Sequence, residues 1–186
     1  MDALDKTKDA ALTVIDLLLS GGAPVFTLTD KLISAKNEIR DHLFKARLKK
    51  MIDRTQDLTQ EDRNKLEEKF KNQRERDFTY RQLILVIESI NEEEKIDIII
   101  NLFRAFIYDK ITIFEFRRFL FIVNNTFYHD LLWLKSMKET DEIYQNVEMA
   151  GLIPSGLLSP SNIHIGGGLS YVKNKTGKLF CEIAFS

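Results

Sequence analysis

The carboxylate of Glu115 stands where a calcium-binding loop would place its last ligand. In the stretch YDKITIFEF, Tyr108–Phe116, the residues Ile111, Thr112, Glu115 and Phe116 match the end of such a loop. Counting back from Glu115, the first, third and fifth ligand positions hold Arg104, Phe106 and Tyr108. Calcium needs hard oxygen donors there, and a glycine at the sixth position to allow the sharp turn. This chain supplies a cation, two aromatic rings and Asp109, so calcium chemistry is excluded at this stretch. The same letters form a capping box instead. Thr112 and Glu115 satisfy each other's free backbone N–H, while Ile111 and Phe116 make the accompanying hydrophobic staple. Asp109-Lys110 then becomes a tight turn between two helices.

The other groups that could do chemistry do not converge. His129-Asp130 and Asp41-His42 are neighbours in sequence, and neighbours on a helix point to different faces, so neither is a dyad. His129 is expected at the third helical position after Thr126, as a capping participant. Cys181, in LFCEIAF, reads as a small buried apolar residue rather than a nucleophile with a base beside it. The glycines 166–168 lack the strand–loop–helix setting of a phosphate cradle, and Thr176-Gly177-Lys178 is no nucleotide-binding loop. The expectation is a non-enzymatic chain with no cofactor and no metal.

Composition sets the class. The 186 residues are 44% hydrophobic and 30% charged, with a net charge of -1, which describes a folded domain with material for one core. The charge balance gives no global pull toward nucleic acid or anionic membrane. One cysteine excludes an intrachain disulfide and suits a reducing cytoplasm. The wealth of Ile, Lys, Asn and Phe points to an AT-rich bacterial or phage genome. At the start, Ala10–Leu19 is apolar, but Asp2, Asp5 and Asp9 precede it, Asp16 interrupts it, and Ser20-Gly21-Gly22-Ala23-Pro24 ends it. It is therefore neither a secretory leader nor a bilayer span. It reads as a core helix, with a membrane-associated helical hairpin as the alternative.

Apolar periodicity and caps predict a mainly α chain, a helical bundle with a small C-terminal β-hairpin. Residues 1–135 form the helical core and 136–186 a C-terminal helix plus hairpin. The first helix runs from Ala3 to Leu19. The second, long and amphipathic, runs from Pro24 to about Arg54, with Leu28, Leu32, Ala35, Ile39, Leu43 and Met51 on its apolar stripe. Thr59 caps a third, polar helix that offers only Leu66 and Phe70 to a core. A helix from Asp77 or Thr79 to Ile90, another opened by an Asn91–Glu94 capping box and a third after Thr112 pack mainly against one another. Thr140–Ala150 is predicted as a helix closed by a left-handed Gly151, then a loop to Asn162, a hairpin pairing Ile163–Ile165 with Leu169–Val172, and a last helix capped by Asn174. A final strand over Leu179–Phe185 competes with that helix.

This ending resembles a winged-helix domain, in which a helix closes in Gly-Leu-Ile, a hairpin follows and Y-x-L-T-x-x-G leads into a helix. Gly151-Leu152-Ile153, Tyr171, Asn174 and Gly177 carry the match, while Lys173 stands where Leu is expected. The resemblance covers about the last fifty residues and implies a fold, not a function. The helix before Gly151 carries Glu139, Asp141, Glu142 and Glu148, an acidic face unsuited to a duplex.

The most basic patch is RDHLFKARLKKMIDR, with Arg40, Lys45, Arg47, Lys49, Lys50 and Arg54. Mixed charge in the next helix makes a solvated face the plain reading, and docking of a partner the functional one. The sequence therefore predicts a cytoplasmic interaction or regulatory protein that docks another protein through the long amphipathic helix, at those six cations, and the charged third helix. The alternatives are a nucleic-acid-binding regulator of winged-helix type and a membrane-associated protein using the N-terminal apolar segments.

Overall fold

A computed structural model of the chain describes residues 42–138, 142–144, 147–163 and 169–186. The expected first helix, the second as far as Asp41, Arg40 and the glycines 166–168 lie outside the described residues. Within them the chain is mainly helical and ends in a small antiparallel sheet and a last helix. The helices are α1 (His42–Asp53), α2 (Gln60–Glu68), α3 (Gln73–Ser89), α4 (Lys95–Ile107), α5 (Ile113–Asn125) and α6 (Tyr128–Ser136). Strand β1 (Ile143–Tyr144), the short α7 (Val147–Leu152), β2 (Leu158–Ile163), β3 (Leu169–Lys173) and α8 (Lys175–Ala184) follow.

The core is built around α4. Ten of its residues are buried, among them Ile96, Ile99, Ile100, Leu102, Phe103 and Phe106. A helix apolar on all but the stripe of Asp97, Asn101 and Arg104 must be covered on nearly every side, and α1, α2, α5 and α8 all pack against it. Phe106 stacks on Phe116 of α5 at 5.0 Å between ring centres, and Phe70 meets Phe106 and Tyr80 edge-on. From the far end, Phe180 of α8 packs edge-on against Phe119 at 5.3 Å. One contiguous cluster thus runs from Phe44 to Ala184.

Local chemistry sets most boundaries. Thr112 accepts from the Glu115 amide, and Glu115 reaches back to the Thr112 amide at 2.8 Å. Ile111 and Phe116 are both buried beside this box. The turn before it is a left-handed closure of α4. Asp109 has φ 57°, its N–H donates to Phe106 O, and the Lys110 N–H donates to Ala105 O at 2.9 Å. Asp109 also pairs with Lys69, tying this corner to the end of α2. Thr59 and Asp62 make a second capping box at α2, and Asn174 caps α8 by accepting from the Gly177 amide.

Several boundaries differ from expectation. Helix α3 starts at Gln73, earlier than Asp77, because Asn72 accepts from the Glu75 amide and fixes the first turn there. No side-chain cap opens α4 at Glu94, so the Asn91–Glu94 box does not form. Glu92 is used at long range instead. Its carboxylate accepts from the Tyr128 amide at 3.0 Å and pairs with the buried Lys95 at 2.7 Å, so α6 is capped from another helix's loop rather than by Thr126 or His129. Thr140–Ala150 is not one helix, since β1 occupies Ile143–Tyr144 and α7 starts only at Val147. Gly151 lies inside α7, and a Cβ there would sit 2.3 Å from the Asp130 carboxylate oxygen. The left-handed glycine is Gly156, with φ 74°.

The sheet has the order β1-β3-β2, all antiparallel. Strand β2 begins at Leu158, inside the expected loop, and Ile163 pairs with Leu169. Pro160 is tolerated because β2 is an edge strand and the register shifts between Pro160 and Ile163. The hairpin and the helix capped at Asn174 agree with the winged-helix resemblance, whereas the preceding α7 has only six residues. Gly177 has a packing reason, because a Cβ there would meet Leu157 O at 2.3 Å. Leu179–Phe185 is helical to Ala184, not a strand.

Replacing Thr112 with alanine removes the bond that its Oγ1 accepts from the Glu115 amide and keeps the one its own N–H donates, and should lower the free energy of unfolding by about 1 kcal/mol. Urea denaturation followed by circular dichroism measures it, and an unchanged midpoint would show that the box contributes nothing.

Candidate docking surface

Of the six cations expected on one docking surface, Arg40 and the Lys45 side chain fall outside the described residues and Arg47 is buried. Helix α1 buries Phe44, Leu48, Met51 and Ile52, while Leu43 is exposed. Met51 is thus on the inward stripe as expected, Phe44 takes the place expected for Leu43, and Arg47 turns inward with it. Arg47 is only 5% exposed and donates through Nη1 to the carbonyls of Ile87 and Glu88 at 3.3 and 3.4 Å. Those carbonyls belong to the negative end of α3, where a cation is favoured. Arg47 is thus a strut between two helices and no part of an exposed patch. Lys49, Lys50 and Arg54 are exposed, and Lys50 pairs with Asp97 of α4 at 2.8 Å.

A cleft of about 680 Å³ is lined by Asp53, Asp57, Asn101, Arg104 and Glu182. Arg104 grips Asp57 with two bonds of 2.6 and 2.8 Å and donates to Arg54 O at 3.0 Å. That grip holds the Asp57 carboxyl below its usual range and raises the Arg104 guanidinium. Asn101 is committed to the carbonyls of Ala184 and Ser186. The cleft's polar groups therefore close the end of the bundle. Cys181 is half-buried, and burial pushes its thiol up, away from the thiolate a nucleophile needs. Among the described residues no group of three His, Cys, Asp or Glu is placed to hold a metal ion. Nor, among them, is any helix long and apolar enough to cross a membrane.

The feature that sequence reasoning missed is the outer face of α3 and α5. The two helices run side by side in the same direction. Arg117 of α5 donates to Thr79 near the start of α3, and Ser89 at the end of α3 donates to Asn124 near the end of α5. Helix α3 exposes Arg74, Phe78, Arg81 and Leu85, and α5 exposes Phe114, Arg118, Phe121 and Asn125. Phe114 is 72% exposed and Phe121 66%. The apolar members recur every seventh residue, Phe78 to Leu85 and Phe114 to Phe121, the spacing by which one helix presents a ridge to another. Between the ridges, Arg117 lies over the Phe78 ring at 5.0 Å and is held by Thr79 Oγ1 and Glu75 O. Its charge stiffens the groove floor and its neighbours.

A signal for this face was present in IFEFRRFLFIV. Phe116, Phe119, Leu120 and Val123 already fill the inward side of α5. At 3.6 residues per turn, Phe114 and Phe121 fall well away from those four. More apolar residues than one face can hold is the mark of a second apolar face.

Changing Arg47 to alanine should cost about 2 kcal/mol of stability, since charge-assisted bonds to two buried carbonyls are lost. Lys49→Ala should stay within about 0.5 kcal/mol. Urea unfolding of the pair decides the matter, and equal midpoints would place Arg47 back among the surface cations.

These conclusions stand on the geometry alone, because no family model, curated protein or solved structure matches the chain.

Proposed function

We propose that the chain is a non-enzymatic interaction protein that docks another protein through the α3–α5 face. The observation that supports this reading is the pair of ridges, Phe78–Leu85 and Phe114–Phe121, left open on two parallel helices with arginines along them. Exposed apolar patches of this kind mark interaction sites more often than idle surface. Aromatic rings and arginines are also the residue types that carry most of the energy at protein interfaces.

The chemistry of the face defines its partner. Arg74 and Arg118 are exposed beside the rings, whereas Glu115 is committed to the Thr112 cap and Asp77 lies against Arg76. The fitting partner is an amphipathic helix with an apolar ridge flanked by carboxylates. The exposed Lys49 and Lys50 of α1 and Arg54 just after it are not part of this face.

The double variant Phe114→Asp/Phe121→Asp should keep the wild-type unfolding midpoint, because both rings are largely in water, and should lose at least tenfold in recovery of the partner. Tagged wild-type and variant chains, incubated with nuclease-treated cell lysate and compared by quantitative mass spectrometry, give the readout. Equal recovery by both overturns the reading. Recovery that vanishes with nuclease for the wild type turns attention to nucleic acid, for which stacked rings and arginines are also suited.

A further inference from the structure

Helices α3 and α5 run in the same direction, so the face they share has two unlike ends. The arginines of both helices stand at or before its middle, the last of them being Arg81 in α3 and Arg118 in α5. Residues 82–94 and 119–127 contain no lysine or arginine. The positive ends of both helix dipoles lie at the start of the face and the negative ends at its finish. The finish also opens into a cleft of about 460 Å³, bordered by Ser89, Asn91, Asn124, Asn125 and Phe127. Lys95 lines it too, but is buried and paired with Glu92 at 2.7 Å. The amides there have capacity to spare. Asn125 spends Nδ2 on Phe121 O at 2.8 Å and keeps Oδ1. Asn124 accepts from Ser89 through Oδ1 and keeps Nδ2. Among the described residues the Asn91 side chain makes no hydrogen bond. The Phe127 ring beside them is 72% exposed.

We propose that the partner helix lies antiparallel to α3 and α5, with its first turn in the Asn91–Asn124–Asn125 cleft and carboxylates in its last turn on Arg74 and Arg118. This inference rests on the docking reading above and adds the partner's direction. A helix leaves the N–H groups of its first turn without partners inside the helix. Side-chain amide oxygens accept well from such groups, and Asn91 and Asn125 hold theirs uncommitted at this end. The apolar residue that often precedes a helix and packs on its first turns meets the Phe127 ring. At the other end, the partner's negative carbonyl end meets two positive helix starts and the exposed Arg74 and Arg118. The reverse direction gathers the carbonyl ends of three helices at one place and leaves the partner's carboxylates facing amides and Glu92. A second copy of the chain, turned end for end, brings amides rather than carboxylates to Arg74 and Arg118.

Direction then acts as a filter on partners. The stretch from Phe114 to Asn125 is about 17 Å long, the length of three turns of a partner helix. An isolated helix gains from carboxylates in its first turn and loses from them in its last. This face selects the opposite placement, so it discriminates against acidic amphipathic helices that are the more stable ones in solution.

The probe is an acetylated and amidated peptide of about fifteen residues, with a leucine ridge, two glutamates in its last turn and a nitroxide on its first or last residue. In NMR spectra of the full-length chain, the nitroxide on the first residue should broaden the amides of Asn91, Asn125 and Phe127. On the last residue it should broaden those of Arg74 and Phe114. Moving both glutamates to the first turn should weaken binding about tenfold by fluorescence anisotropy, and Arg74→Glu/Arg118→Glu should abolish that difference. Broadening with the two ends exchanged, or equal affinity of the two peptides, overturns the direction. If binding is nevertheless lost in Phe114→Asp/Phe121→Asp, the docking reading stands without it. A peptide that does not bind, or binds Phe114→Asp/Phe121→Asp as tightly as the unmodified chain, overturns the docking reading together with the direction. A chain that sediments as a dimer, and as a monomer once Phe114 and Phe121 are aspartate, assigns the face to a second copy and overturns the proposal.

Discussion

Everything in this fold follows from the need to bury α4. With Ile96, Ile98, Ile99, Ile100, Leu102, Phe103, Ala105, Phe106 and Ile107 all inside, the helix gives water only the stripe of Asp97, Asn101 and Arg104. Each of those larger side chains contributes about 1.5–3 kcal/mol when fully covered, and the gain is realised only if neighbours arrive from several directions. Helix α5 covers one side with Phe116, Phe119 and Val123, α2 another with Leu66, α1 a third with Leu48 and Met51, and α8 closes the end with Phe180 and Ile183. The C-terminal sheet is held in place by the same requirement, since β3 feeds directly into α8.

The polar contacts join the elements that bury α4. Glu92 serves α4 through Lys95 and α6 through the Tyr128 amide. Arg47 joins α1 to the end of α3, Arg104 joins α4 to the loop after α1, and Asn101 joins α4 to the chain's last carbonyls. Lys173, buried within β3, donates to Met137 O at 2.7 Å and fastens the sheet to the end of α6. Each links elements distant in sequence.

What was legible in the sequence was local. The Thr112–Glu115 box, the Thr59 and Asn174 caps, the apolar character of α4 and the C-terminal hairpin all depend on residues within a few positions of one another. What was not legible depended on contacts across the fold. Leu43 and Phe44 are equally apolar, and only packing decides that the second goes inward and takes Arg47 with it. Asn91 and Glu94 have the letters of a cap, yet Glu92 is drawn to a helix thirty-six residues away. Gly151 looked like a helix terminator, but the approach of the Asp130 carboxylate is what makes a glycine fit there. Arg47 and Lys49 of the expected patch are two residues apart and differ in burial, since a helix of mixed composition distributes charge according to what lies beneath it.

The outer face of α3 and α5 shows the same logic from the opposite side. Packing in the core consumes one side of each helix, α5 against α4 and α3 against α5 and α1, and Phe116, Phe119, Leu120, Leu83 and Ile87 are buried there. Phe78, Leu85, Phe114 and Phe121 are therefore surplus to the described core. Surplus rings in water raise the risk of aggregation, and the arginines beside them keep charge at the face and set its sign.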